Sequence, residues 1–110
     1  MIKNIISLIF VICAFLSGDS WAGRQTGLIR DLQIRNDGVI IFYLNGTKDD
    51  SPTCAKYPYW IIKDENSEIG KKQLAALIAA KIAGQSITIL GSDACTRWPD
   101  GEDVYSVIVN

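Results

Sequence analysis

From Thr26 to Ile34 the chain reads TGLIRDLQI, with Leu28, Leu32 and Ile34 of one parity, and from Val39 to Leu44 it is continuously apolar. Both stretches predict strands, the second because it is rich in β-branched and aromatic side chains. Asn36-Asp37-Gly38 between them has the residue types of a tight turn with positive φ, so the two strands form a hairpin. Asn45-Gly46 ends the second strand and Lys48–Pro52 is polar loop. A third strand is predicted over CAKYPYWIIK, beginning at Cys54. It places Tyr57, Tyr59 and Ile61 on one face and Lys56, Trp60 and Ile62 on the other, with a bend or sheet edge near Pro58.

The period then changes. At about 100° per residue, Leu74, Leu77, Ile78 and Ile82 fall in one sector about 140° wide, the stripe a helix buries. The predicted helix runs over Ser67–Ala83, with Asn66 or Ser67 as N-cap and Gly84 as the C-terminal stop. Ala75, Ala76, Ala79, Ala80 and Ala83 gather on the opposite side. Two readings stay open there: a methyl-lined face that a neighbouring subunit covers, or exposed alanines chosen as good helix formers. QSITILG gives a fourth strand and VYSVIV a fifth, separated by a loop containing Cys95, Arg97 and Trp98.

The fold class is therefore mainly β with one helix, in the order β-β-β-α-β-β. That order is the layout of the OB-fold, a small five-stranded Greek-key barrel. In such a barrel the third and fifth strands are parallel neighbours and the fourth is antiparallel to the fifth. The start of strand three and the loop between strands four and five then share one end, which brings Cys54 and Cys95 together.

The N-terminal residues change the compartment. MIKNIISLIFVICAFLSGDSWAGRQ has a lysine, an apolar run from Ile5 to Leu16 and small residues on either side of Trp21, the three-part layout of a secretory signal peptide. Cleavage is expected after Ala22, leaving residues 23–110 as one domain. The apolar run falls short of the roughly 20 residues that a membrane-crossing helix needs, so no span is expected in the mature chain. Cys13 leaves with the signal, and the two remaining cysteines of an exported chain pair as one disulfide, Cys54–Cys95. Closing a loop of about 42 residues this way stabilises by at most roughly 4 kcal/mol.

The formal charge is −1 and the chain contains no histidine. Histidine-assisted hydrolysis, histidine zinc sites and histidine general bases are excluded together, and no positive stripe suits nucleic acid. No nucleotide loop motif and no calcium-loop spacing occur, and no cofactor is expected. Asp93, Asp100, Glu102 and Asp103 read as a solvated turn around Cys95, and Asp49-Asp50 and Asp64-Glu65 as loop charges. The side chains expected to meet a ligand are Arg97, Trp98, Tyr57 and Tyr59, with Trp60 assigned to the core. For Trp98, packing over the disulfide is the competing role. Trp98-Pro99-Asp100-Gly101 has the residue order of a type I turn.

LAALIAAKIAGQSITILGSDAC, preceded by CAKYPYWII, resembles the small secreted OB-fold proteins that include the B subunits of subtilase-type and typhoid-type AB5 toxins. The similarity spans residues 54–109 and rests on an alanine-rich helix, a Gly-Gln turn, an alternating strand and a cysteine. It implies a non-catalytic, ring-forming homopentamer that recognises a cell-surface glycan and carries a catalytic toxin subunit, and it assigns no sugar-binding residue. The alternative expectation is a stand-alone periplasmic or secreted protein that binds or inhibits another protein.

Overall fold

A computed structural model of the chain describes residues 22–110. The expected signal segment, and Cys13 with it, lies outside these residues apart from Ala22. Among the described residues no helix is long and apolar enough to cross a membrane.

Six strands and one helix form the domain: β1 Arg24–Gly27, β2 Ile29–Ile34, β3 Ile40–Leu44, β4 Trp60–Ile61, α1 Glu68–Ala83, β5 Ile87–Gly91 and β6 Glu102–Val109. The strand order is β1-β5-β6-β4-β3-β2. β4 and β6 are parallel and every other neighbouring pair is antiparallel. The expectation of five strands is corrected to six, in a sheet with two outer strands instead of a closed barrel. The helix accordingly follows the fourth strand and not the third. The cause is local: the first expected strand breaks at Leu28. Gly27 lies so close to the 45–46 backbone that a Cβ there would stand 1.8 Å from the Asn45 carbonyl oxygen.

A register shift between Ile29 and Asp31 resets the side-chain alternation of β2. Ile29 is buried, Leu32 packs partly against the core, and Leu28 and Ile34 are exposed, so the single parity expected for this run does not hold. The hairpin turn forms where expected, with Gly38 at φ 91° and the Arg35 N–H donating to the Val39 carbonyl. β4 is shorter than expected, because Pro58 lacks an N–H and the chain joins the ladder only at Trp60. Cys54 lies in a turn ahead of that strand and not at its start.

β3 and β4 are buried on both faces. Ile40, Phe42, Leu44, Trp60 and Ile62 point into the main core with Leu77, Ile87, Ile89 and Val104. Val39, Ile41, Tyr59 and Ile61 form a second cluster on the other face, flanked by Tyr43 and Trp98.

Ser67 caps α1 by accepting the Gly70 N–H at 2.9 Å, and Gly84 ends it in the left-handed region at φ 64°. The buried face is Gly70, Leu77 and Ala80, with Leu74 half-buried. Ile78 and Ile82 are exposed, the latter 82%, which corrects the expected stripe. Small residues set this rotation. A Cβ on Gly70 would come 1.9 Å from the Asp64 carbonyl oxygen, so the helix start rests directly on backbone. At the other end Lys81 donates to the carbonyls of Ile29 and Arg30.

Candidate functional site

The loop between β5 and β6 closes over the second apolar cluster. Three contacts hold it there. The Cys54–Cys95 disulfide forms as expected, with the two Cα atoms 6.1 Å apart. Asp103, fully buried in β6, accepts the Thr96 N–H at 3.1 Å, the Thr96 hydroxyl at 2.5 Å and the Arg97 N–H at 3.3 Å. Gly101 packs so tightly that a Cβ would stand 2.5 Å from the Tyr59 ring.

These contacts place the four expected ligand residues differently. Arg97 is committed to Glu65 through two hydrogen bonds of 2.9 Å. The hydrogen bonds from Arg97 hold the Glu65 carboxyl below the usual carboxylate range, and the same contact raises the Arg97 guanidinium. Trp98 is half-buried against the second cluster, its indole N–H donating to the Tyr59 hydroxyl at 3.2 Å. Tyr59 is buried and donates in turn to Asp100. Burial first, and then the bond to Asp100, push its phenol up to about 12. Tyr57 stacks on Tyr59, centroids 5.7 Å apart and planes 7° from parallel, and is 55% exposed.

Three side chains that sequence reasoning missed complete this face. Tyr43 meets Tyr59 edge-on at 5.5 Å. Arg30 lies 4.5 Å above the Tyr43 ring and Arg35 lies 4.7 Å above the Trp98 ring. The result is an aromatic patch edged by guanidinium groups, with the outer face of Tyr57 open to solvent. Only Tyr43 carried a signal, as the outward member of an apolar strand. The arginines belong to β2 and its turn, and reach the patch through pairing with β3.

A second constellation lies at the start of β6. Glu102 and Asp103 were expected in a solvated turn; both are fully buried and begin the strand. The expectation fails because β6 starts two residues earlier than its apolar run. Glu102 Oε2 accepts the backbone N–H groups of Gly23 and Asp93, each at 3.0 Å, and Lys48 Nζ stands 3.3 Å from Oε1. Lys48 also sits 4.0 Å from the centre of the Trp60 ring. Burial lowers the Lys48 pKa more than Glu102 restores it. Trp60 is in the core, as expected, and its indole N–H donates to Gln25 at 2.8 Å, while Gln25 donates to the carbonyls of Leu44 and Gly46.

Among the described residues, no three His, Cys, Asp or Glu side chains come together in a way that would hold a metal ion. Asp49 makes a backbone bridge to Arg24. Comparison with protein-family models, curated proteins and solved structures finds no match to the chain.

Proposed function

We propose that this chain is an exported, non-catalytic binding protein of the OB-fold type that recognises a glycan through the aromatic patch around Tyr57. The observation that carries the reading is the exposed Tyr57 ring, stacked on Tyr59 in a patch whose other rings, Tyr43 and Trp98, lie under Arg30 and Arg35. A flat ring suits the C–H face of a sugar, and the guanidinium groups at the patch edge, their Nε–H groups held by Asp31 and Asp37, keep Nη donors that suit an acidic sugar such as a sialic acid. The sequence resemblance to toxin B subunits points to the same ligand class.

The OB-fold reading draws support from connectivity, with the sheet itself open between β1 and β2. β1 and β2 are consecutive, with only Leu28 between them, yet they stand at opposite ends of the strand order. Counted as one interrupted strand, they bring the order back on itself and put the helix between the third and fourth strands. Two bonds run across this junction, from Asn45 N–H to the Leu28 carbonyl and from Gln25 to the Leu44 carbonyl. The disulfide suits an oxidising compartment, the periplasm or the cell exterior.

Ring assembly, with five copies as in the resembling toxins, would draw on the exposed apolar side of α1 at Ile78 and Ile82. The same face favours the second reading, a stand-alone protein whose partner is another protein. A glycan array probed with the processed protein tests the first reading: binding to acidic glycans, lost in Tyr57→Ala with the thermal midpoint unchanged, is the expected result. Light scattering gives the assembly state, and a stable monomer would remove the ring. Absence of glycan binding together with a monomeric mass favours the second reading.

A further inference from the structure

Gly23 is buried, and its nitrogen lies 3.0 Å from Oε2 of the fully buried Glu102. From this residue onward the backbone is fixed. The Gly23 carbonyl accepts the Gly91 N–H at 2.8 Å, and Arg24 exchanges both backbone bonds with Asp49 at 2.9 and 2.8 Å. A Cβ on residue 23 would stand 2.1 Å from Oε1 of Glu102, and one on Gly91 would stand 1.8 Å from Oε2. Two glycines therefore let the main chain close around one carboxylate. Oε1 has Lys48 nearby but no hydrogen bond to it. A carboxylate this deep is stable only when opposite charge and donors surround it.

The small-residue pattern around Trp21 places cleavage at the peptide bond whose nitrogen is the one on Glu102. Two independent lines, a processing signal and a buried carboxylate, meet at one atom. We propose that hydrolysis of the Ala22–Gly23 bond turns the Gly23 nitrogen into an α-ammonium that seats on Glu102, so that the domain carries a built receptor for its own processed N-terminus. The proposal rests on the cleavage reading of the first 22 residues. In the hydrolysis, water adds to the Ala22 carbonyl and the C–N bond breaks. Ala22 leaves as a carboxylate on the upstream fragment, and the Gly23 nitrogen takes up the protons to become an ammonium.

That step changes the nitrogen from a neutral amide with one donor to a cation with three. Its bond to Glu102, already charge-assisted on the acceptor side, becomes an ion pair with both partners charged. The charged groups around the pair are Lys48 from the β3–β4 loop and, lining the cleft beside Gly23, Arg24 and Asp50; Tyr105 is the further titratable group there. Lys48, already depressed by burial, is the cation with which the new ammonium shares Glu102.

The protein is recovered from an exporting host as the cell leaves it, and its first residue is read by N-terminal sequencing. Another first residue overturns the proposal together with the cleavage reading on which it rests; the expected result is the Gly23 form. On that form the acetylation rate of the α-amine is compared in folded and urea-unfolded protein. A seated ammonium slows the reaction at least about tenfold, a stabilisation of about 1.4 kcal/mol; equal rates overturn the proposal. Acetylating the α-amine of the unfolded chain selectively, near neutral pH where the lysine side chains stay protonated, and refolding it lowers the thermal midpoint by about 4 °C or more. In Glu102→Gln this further loss disappears, and its persistence there overturns the proposal. Should Glu102→Gln fail to fold, the acetylation rates of the native chain decide.

Discussion

The indole N–H of Trp98 donates to the hydroxyl of Tyr59 across 3.2 Å, joining the β5–β6 loop to the outer face of the β3–β4 pair. Tyr59 passes the bond on to Asp100, so one phenol serves two residues on the same stretch of the loop. The neutral phenol is the form this arrangement favours, since it alone can donate to a carboxylate.

A pH dependence follows from that preference. The Tyr59 pKa rises from an unfolded value near 10 to about 12 in the folded protein. Its contribution to stability is therefore complete below about pH 10 and is lost between about pH 10 and 12. Tyrosinate absorbance should show one late-titrating phenol, and Tyr59→Phe should remove that step. Persistence of the late step in Tyr59→Phe would assign it to another tyrosine.

Asp103→Ala leaves the Thr96 and Arg97 N–H groups without their carboxylate. We expect a loss of about 2–4 kcal/mol in urea unfolding, with faster amide exchange confined at first to residues 95–101. An unchanged exchange pattern would mean that the disulfide and the Gly101 packing order the loop without Asp103.

Replacing both Cys54 and Cys95 by serine should lower stability by about 2–4 kcal/mol. The patch should loosen with it, because Cys95 opens the segment that carries Trp98. Near-ultraviolet circular dichroism of the aromatic residues reports that loosening directly.

The rotation of α1 is open to a paired comparison. Leu77→Ala should cost about 2–5 kcal/mol, whereas Ile82→Ala should stay within about 0.5 kcal/mol in the monomer. Equal costs would restore the stripe that the apolar spacing alone predicts.

That spacing illustrates how far the sequence could be read. The hairpin at Gly38, the helix ends at Ser67 and Gly84, and the Cys54–Cys95 pair were legible because each depends on local chemistry or on cysteine count. The helix face was not, because it is set by how closely Gly70 approaches the Asp64 carbonyl, a tertiary contact between small groups that hydropathy does not weigh. Glu102 and Asp103 were misread for a related reason. Two acidic residues beside a turn look solvated until the backbone donors of Gly23, Asp93, Thr96 and Arg97 converge on them; three of these belong to the loop just before β6, which folds back on the strand, and Gly23 comes from the far end of the domain. Of the expected site, Tyr57, Tyr59 and Trp98 do come together, while Arg97 is taken by Glu65. The arginines that edge the patch enter by strand pairing, which a single sequence does not display.

The position of β6 bears on when the domain can form. It follows every other strand of the sheet in sequence, yet it stands between β5 and β4 and joins the two halves of the sheet. A ribosome delivering the chain N-terminus first releases β1 to β5 before either half has the neighbour that unites them. Long-range pairing of this kind is slow to nucleate. Loss of β6 alone would leave the two halves of the sheet without the strand that joins them.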